Sequence, residues 1–137
     1  MRTWSILLVD DDYEFHRDLE AVLPRGYRLL SAYNPSGALE TMRSGSPDVV
    51  LLSLYLPSTT GVDESAAAQS LLEQMIELGG REIPIFVMAE DKETSHADQC
   101  MSFGARGIVS KSAGVGALLR QIEQSPPPVA GPRGNRS

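Results

Sequence analysis

Several protein classes depend on residues that this chain lacks. It has one cysteine, Cys100, in 137 residues. No disulfide can close within it, and a reducing cytoplasm is the expected compartment. No apolar stretch comes near the ~18–20 residues of a membrane span. The opening MRTWSILLVDDD turns from a short apolar run to three aspartates and does not read as a signal sequence. Basic residues are outnumbered, 12 against 18 acidic, for a net charge of −6. That balance disfavours nonspecific binding to nucleic acid or to an anionic membrane, so neither is expected as a partner. There is no glycine-rich phosphate loop, no zinc-ligand spacing and no basic recognition helix. His16 and His96 stand apart, each expected on a polar helix face.

Apolar residues make up 42% of the chain, enough for one real core at this length. They fall into two rhythms. Residues 5–9 (SILLV), 49–54 (VVLLSL) and 83–89 (IPIFVMA) are continuous apolar runs, with weaker ones at 27–32 and 107–110. Short runs without alternation are strands buried on both faces. Between them lie helical stripes: Phe15, Leu19, Val22 and Leu23; Ala38, Leu39 and Met42; Leu71, Leu72, Met75 and Ile76; Ala97, Cys100 and Met101; Val115, Leu118, Leu119 and Ile122. Met75, Met88 and Met101 are expected as core filling. Pro24 and Gly26, Pro35, Gly45 and Pro47, Gly79-Gly80 and Gly104 punctuate the boundaries. Strand then helix, five times over, predicts an α/β domain over residues 1–124: a doubly wound parallel sheet with helices on both faces. Residues 62–70 (VDESAAAQS) lengthen the connection into the third helix, as an added helical turn or an exposed loop. The end, 125–137 (SPPPVAGPRGNRS), is too rich in proline and glycine for a helix and is expected as a linker or disordered tail.

Ligands of such sheets bind at the carboxyl ends of the strands. Those ends carry chemistry here. The first ends in Asp10-Asp11-Asp12, the fourth in Ala89-Glu90-Asp91 and the fifth in Ser110-Lys111-Ser112. Adjacent carboxylates repel unless a cation joins them. Carboxylates facing a lysine suit a hard cation together with an anion. Asp12 is placed to cap the first helix. The third strand, within PDVVLLSLYLP, ends on a hydroxyl, Ser53.

Four segments together resemble the receiver domain of bacterial two-component response regulators: ILLVDDD (6–12), PDVVLLSLYLPSTTG (47–61), IPIFVMAED (83–91) and GARGIVSKS (104–112). The resemblance covers about residues 4–124. It implies a (βα)5 sheet of order 2-1-3-4-5, the flavodoxin-like or CheY-like fold, and phosphoryl transfer from a kinase histidine to an aspartate beside Mg²⁺. Asp10 and Asp11 match the acidic pair that holds the metal, and Lys111 matches the lysine that contacts the phosphoryl group. The rest departs from the pattern. Ser53, four residues before Pro57, stands at the acceptor position. Ala89 stands where the family has Thr or Ser. Ile108 stands where an aromatic switch is usual, and Ser112 replaces a common proline.

A serine hydroxyl is protonated at neutral pH, needs an adjacent base to attack, and brings no charge to a metal. The expectation is therefore a degenerate, phosphorylation-independent receiver that is not an enzyme. Mg²⁺ is the one cofactor left open, weakened by the loss of a carboxylate, with Lys111 free to pair with an acid instead. The domain is expected to act through a protein partner or a homodimer, with Arg106, Val115 and Arg120 as contact residues and an output domain fused after residue 125. Two alternatives stand beside this reading. One is a working phosphoacceptor that uses Ser53 or another residue with Mg²⁺. The other is a small-molecule regulatory domain that uses the acidic pocket, with Glu90 as its screen or as a substitute carboxylate.

Overall fold

The computed structural model describes residues 4–45, 47–53, 64–79, 83–89, 98, 101–102, 104–111 and 114–124. Five strands form one parallel sheet: β1 (Trp4–Val9), β2 (Tyr27–Ala32), β3 (Val49–Ser53), β4 (Ile85–Ala89) and β5 (Gly107–Ser110), in the order β2-β1-β3-β4-β5. The fully described helices are α1 (Tyr13–Val22), α2 (Pro35–Gly45), α3 (Glu64–Gly79) and α4 (Val115–Gln124).

The continuous apolar runs follow from burial on both faces. One parity of the strands, Leu7, Val9, Val50, Leu52, Ile85, Val87 and Ala89, packs with Ala38 and Met42 of α2 and Leu71, Leu72 and Met75 of α3. The other parity, Ile6, Leu8, Val49, Leu51, Phe86, Met88 and Val109, packs with Leu19 of α1 and Leu118 and Leu119 of α4. Each fully buried Leu or Ile contributes roughly 1.5–3 kcal/mol relative to exposure, so the two layers hold the helices to the sheet.

Local chemistry fixes the ends. Asp12 caps α1, its Oδ1 accepting from Glu14 N at 3.0 Å and Phe15 N at 3.3 Å. Asn34 does the same for α2, accepting from Gly37 N at 2.8 Å ahead of Pro35 in the first turn. At the amino edge of the sheet, Asp48 Oδ2 accepts from Ser5 N at 2.8 Å while Asp48 N donates to Ser5 O at 2.8 Å, which sets β1 against β3 before their ladder begins.

Some sequence expectations move. The third helix begins at Glu64, so residues 64–70 of the long connection are helical. β4 begins at Ile85 rather than Ile83. Pro84 has no N–H for the ladder, and its carbonyl accepts from Val50 N at 3.0 Å instead. Met101 is exposed, not core. His16 is buried, 4% exposed, on the inner face of α1, whereas Val22, expected in the inner stripe, is exposed. Asp98, Met101 and Ser102 are helical. Ala97, Cys100, His96, Glu90, Ser112 and the segment 125–137 lie outside the described residues.

Gly104 follows that helical stretch with φ +119°, and a Cβ built there would stand 2.5 Å from Ile76 Cδ1. Both the left-handed backbone and the contact select glycine. Gly104→Ala is expected to lower unfolding stability by about 1–2 kcal/mol in a urea titration, with an unchanged m-value.

Candidate functional site

The register brings the charged strand ends together. Val9 pairs with Leu52, so Asp10 and Ser53 are the next residues on neighbouring strands. Ser53 pairs with Met88, and Ala89 with Ser110, the residue before Lys111. Asp10, Ser53 and Lys111 therefore share one edge. By strand alternation they also share the face covered by α1 and α4. Ala89 and Ile108 have the opposite parity and belong to the layer under α2 and α3.

Asp10 is the centre of the arrangement and is only 1% exposed. Its Oδ1 accepts from Asp12 N at 3.0 Å. Its Oδ2 lies 2.7 Å from Lys111 Nζ. That contact is short but misaligned for a hydrogen bond, so Oδ2 is matched by charge while lacking a directed donor. Lys111 is 27% exposed. It also stands 3.9 Å from Asp12 Oδ2 and 4.8 Å above the centre of the Phe15 ring. One carboxylate contact and one aromatic face hold the ammonium toward α1. Asp11 is exposed.

Ser53 is buried, 8% exposed. Ala89 is buried and Ile108 half-buried against the same apolar layer. Ile108 lies directly across from Val87 in the ladder. No hydroxyl from Ala89 and no ring from Ile108 enters this region. Arg106 and Arg120 are exposed and Val115 is half-buried. Glu90 lies outside the described residues.

Sequence reasoning gave no site role to three residues here: it expected His16 on a polar helix face and passed over Tyr13 and Tyr33. His16 Nε2 is 2.7 Å from the Asp10 carbonyl and Nδ1 is 2.9 Å from Ser31 Oγ. A carbonyl can only accept, so Nε2 carries the proton, and in the neutral ring Nδ1 accepts from the Ser31 hydroxyl. The imidazole thus ties the end of β1 to β2 at the sheet edge. Tyr33 lies over it, ring centroids 4.4 Å apart, and Tyr13 lies 4.4 Å from Tyr33. The one available signal was angular: His16 sits three residues before Leu19 and seven before Leu23, on the inner stripe of α1.

The resemblance brings Mg²⁺ with it, and the donor set decides whether it fits. Among the described residues no group of three or more His, Cys, Asp or Glu side chains is placed to hold a metal. Asp10 already presents its one uncommitted oxygen to an ammonium. Mg²⁺ demands near-octahedral oxygen ligation and gives up its waters reluctantly. The described residues do not fit a tightly held Mg²⁺ in this arrangement.

A parallel sheet wound in this order, with an acidic pair and a lysine at its carboxyl edge, defines a receiver-type α/β domain. The family model of the response regulator receiver domain matches residues 6–123, and the chain belongs to that family. Such domains are generally signalling domains rather than enzymes. The chain is 29% identical over 118 residues to the transcriptional regulatory protein KdpE of Mycobacterium tuberculosis, covering 85% of this chain and 48% of that protein. It is 27% identical over 117 residues to a putative transcriptional regulator of Pseudomonas aeruginosa, covering 84% and 53%. The chain thus spans about half the length of the curated relatives it matches. Among solved structures, a putative response regulator from Chloroflexus aurantiacus superposes with a TM-score of 0.74 at 23% identity, over 89% of this chain and 96% of that one. A CheY-like receiver domain protein from Methanospirillum hungatei gives 0.71 at 20% identity, over 89% and 92%. Among the described residues no helix is long and apolar enough to cross a membrane.

Removing Lys111 leaves the Asp10 charge buried without a counter-ion. Lys111→Met is expected to cost about 1–3 kcal/mol, below the range for fully buried pairs because the lysine is part-exposed. Adding Asp10→Asn to it should recover part of that loss. Urea unfolding of the two variants and the double variant measures the coupling.

Proposed function

We propose that this receiver domain acts in two-component-type signalling without aspartyl phosphorylation, through binding of a protein partner or a second copy of itself. The observation that carries the reading is Ser53. It stands buried at the acceptor position beside Asp10, whose charge Lys111 already balances. A nucleophilic serine needs a base poised to take its proton, and Asp10, the carboxylate next in register, is engaged by Asp12 N and Lys111. Ala89 and Ile108 support the same reading. The first offers no hydroxyl to a phosphoryl group, and the second no ring whose rotation could report one.

Full-length response regulators often carry an output domain such as a DNA-binding domain beside the receiver. In the transcriptional regulators that this chain resembles, the matched segment is only about half of the protein. An output domain following residue 125 fits that pattern. Arg106, Val115 and Arg120, on and around β5 and α4, are the contact residues this reading assigns; the two arginines are exposed and Val115 is half-buried.

The test is an amide NMR spectrum recorded with Mg²⁺ and then with a small phosphodonor. The expected result is no displacement at Asp10, Ser53 or Lys111, and intact mass unchanged. Stepwise shifts at these residues, first with Mg²⁺ and then with donor, would overturn the reading. Ser53→Asp adds a second carboxylate next to Asp10. It is expected to lower stability by about 1–3 kcal/mol in EDTA, with Mg²⁺ returning part of the loss.

A further inference from the structure

The two edges of the sheet are built differently. β5 has 4 residues and opens on Gly107. β2 has 6 residues and pairs with β1 in unbroken register from Tyr27 to Ala32. Trp4 N donates to Gly26 O at 2.7 Å and Asp10 N to Ala32 O at 3.1 Å, one bond at each end of this ladder. Between those ends the alternation of a parallel ladder turns the N–H and C=O of Arg28 and Leu30 toward β1. The N–H and C=O of Leu29 and Ser31 point the other way, past the end of the sheet. Among the described residues no strand lies beside them there.

Outward backbone groups on an edge strand are complementary to the backbone of another extended strand. Natural edges are generally blunted by proline, a bulge, charge or shortness. β2 has no proline, no bulge in its register and a single charge, on Arg28. Arg28 and Ser31 lie on opposite faces of the strand and both are exposed, so the edge is open from either side. Leu29 and Leu30 are each half-buried and leave apolar surface beside it. The proline-rich end of the chain, SPPPVAGPRGNRS, is a poor occupant, because proline has no N–H to offer a ladder. A second β2 is a good one. Turned antiparallel, with Leu29 opposite Ser31, it meets every outward group of that pair: each Leu29 exchanges both hydrogen bonds with the Ser31 of the other copy. Leu30 then faces Leu30, and Arg28 faces Ala32 at either end, so no like charges are opposed.

We propose that β2 is a homodimer edge, at which two copies of this chain join their sheets antiparallel through the backbones of Leu29 and Ser31. This rests on the reading of the domain as an interaction module, and it names the surface that a second copy uses. The pairing is isologous and closes on itself, since each copy spends its β2 edge on the other. The Ser31 hydroxyl keeps its bond to His16, because the pairing uses the backbone alone. β5 is the far edge of the sheet, so the surface assigned above to Arg106, Val115 and Arg120 stays open to a different protein. One dimer then presents that surface twice.

The test is amide hydrogen exchange of the full chain, from about 10 µM to about 1 mM, with sedimentation over the same range. Leu29 and Ser31 are expected to exchange more slowly as concentration rises, by about tenfold over that span once the dimer predominates, because the free fraction then falls as the inverse square root of concentration. Arg28 and Leu30 already bond to β1 and are expected to be slow throughout. Sedimentation should show the mass doubling as Leu29 and Ser31 become protected. Leu29→Pro removes an outward donor without touching the β1 ladder, which an edge strand tolerates. Leu30→Lys sets two ammonium groups against each other at the two-fold axis. Each variant is expected to stay a monomer, with native amide dispersion as the check on its fold. Fast exchange at Leu29 and Ser31 at every concentration would overturn the proposal. So would protection that ignores concentration, since the chain would then cover its own edge. A dimer that forms while these two amides stay fast would overturn it as well. The phosphodonor experiment reads Ser53 and Lys111 within one copy, so either idea can fail without the other.

Discussion

A carboxylate removed from water must be given back what the water supplied, and Asp10 is that carboxylate. Its position at the end of a central strand, under α1, leaves it almost no solvent. Three elements answer the demand. The turn after β1 supplies Asp12 N, β5 delivers Lys111, and Phe15 of α1 keeps the ammonium from retreating into water. This buried carboxylate is matched by one ammonium, which also lies 3.9 Å from the half-exposed Asp12. A second buried carboxylate at position 53 would break that match unless a further cation arrived, because like charges in a poorly solvated pocket cannot both stay ionised cheaply. The neutral hydroxyl of Ser53 is therefore consistent with the pairing beside it. The two features read as parts of one electrostatic solution rather than as separate losses.

Much of the architecture was legible in the residue order. Runs such as Ile6–Val9 and Val49–Leu52 are apolar at every position because layers cover both faces of the sheet, and parallel strands leave little else possible. β2 and β5 carry weaker runs because they are the edge strands, each with a neighbour on one side alone and most of its residues only part-buried. Boundaries were less legible where hydrogen bonding, not hydrophobicity, sets them. Ile83 and Pro84 belong to an apolar run yet lie outside β4, since proline cannot donate to the ladder. The long connection before α3 proved helical from Glu64, which its alanines favour by propensity but which loop-length reasoning alone left open.

The site was legible as a list of positions, because the spacing of Asp10, Asp11, Ser53, Ala89, Ile108 and Lys111 follows the strand ends. Its interactions were not. Nothing in the order of residues says that Lys111 chooses Asp10 over Asp11; strand parity does, by placing Asp10 and Lys111 over the same face. His16 was misplaced on a polar face because a lone histidine carries no period of its own. Its burial is explained only by two partners far from it in kind, a backbone carbonyl and a serine on the neighbouring strand. Tyr13 and Tyr33, 20 positions apart by their numbers, meet only because β1 and β2 lie side by side.

The apolar pairing on the opposite face has a consequence of its own. Ala89 and Ile108 pack into one layer with Val87, without a polar atom that could be rewarded for moving. A two-state element needs differential contacts in its two arrangements. A domain without such an element would hold a single shape, and its influence on a partner would then be set by how many copies the cell keeps. Synthesis and degradation would do for it what kinase and phosphatase do for a switch, and the signal would be read as dosage rather than as state.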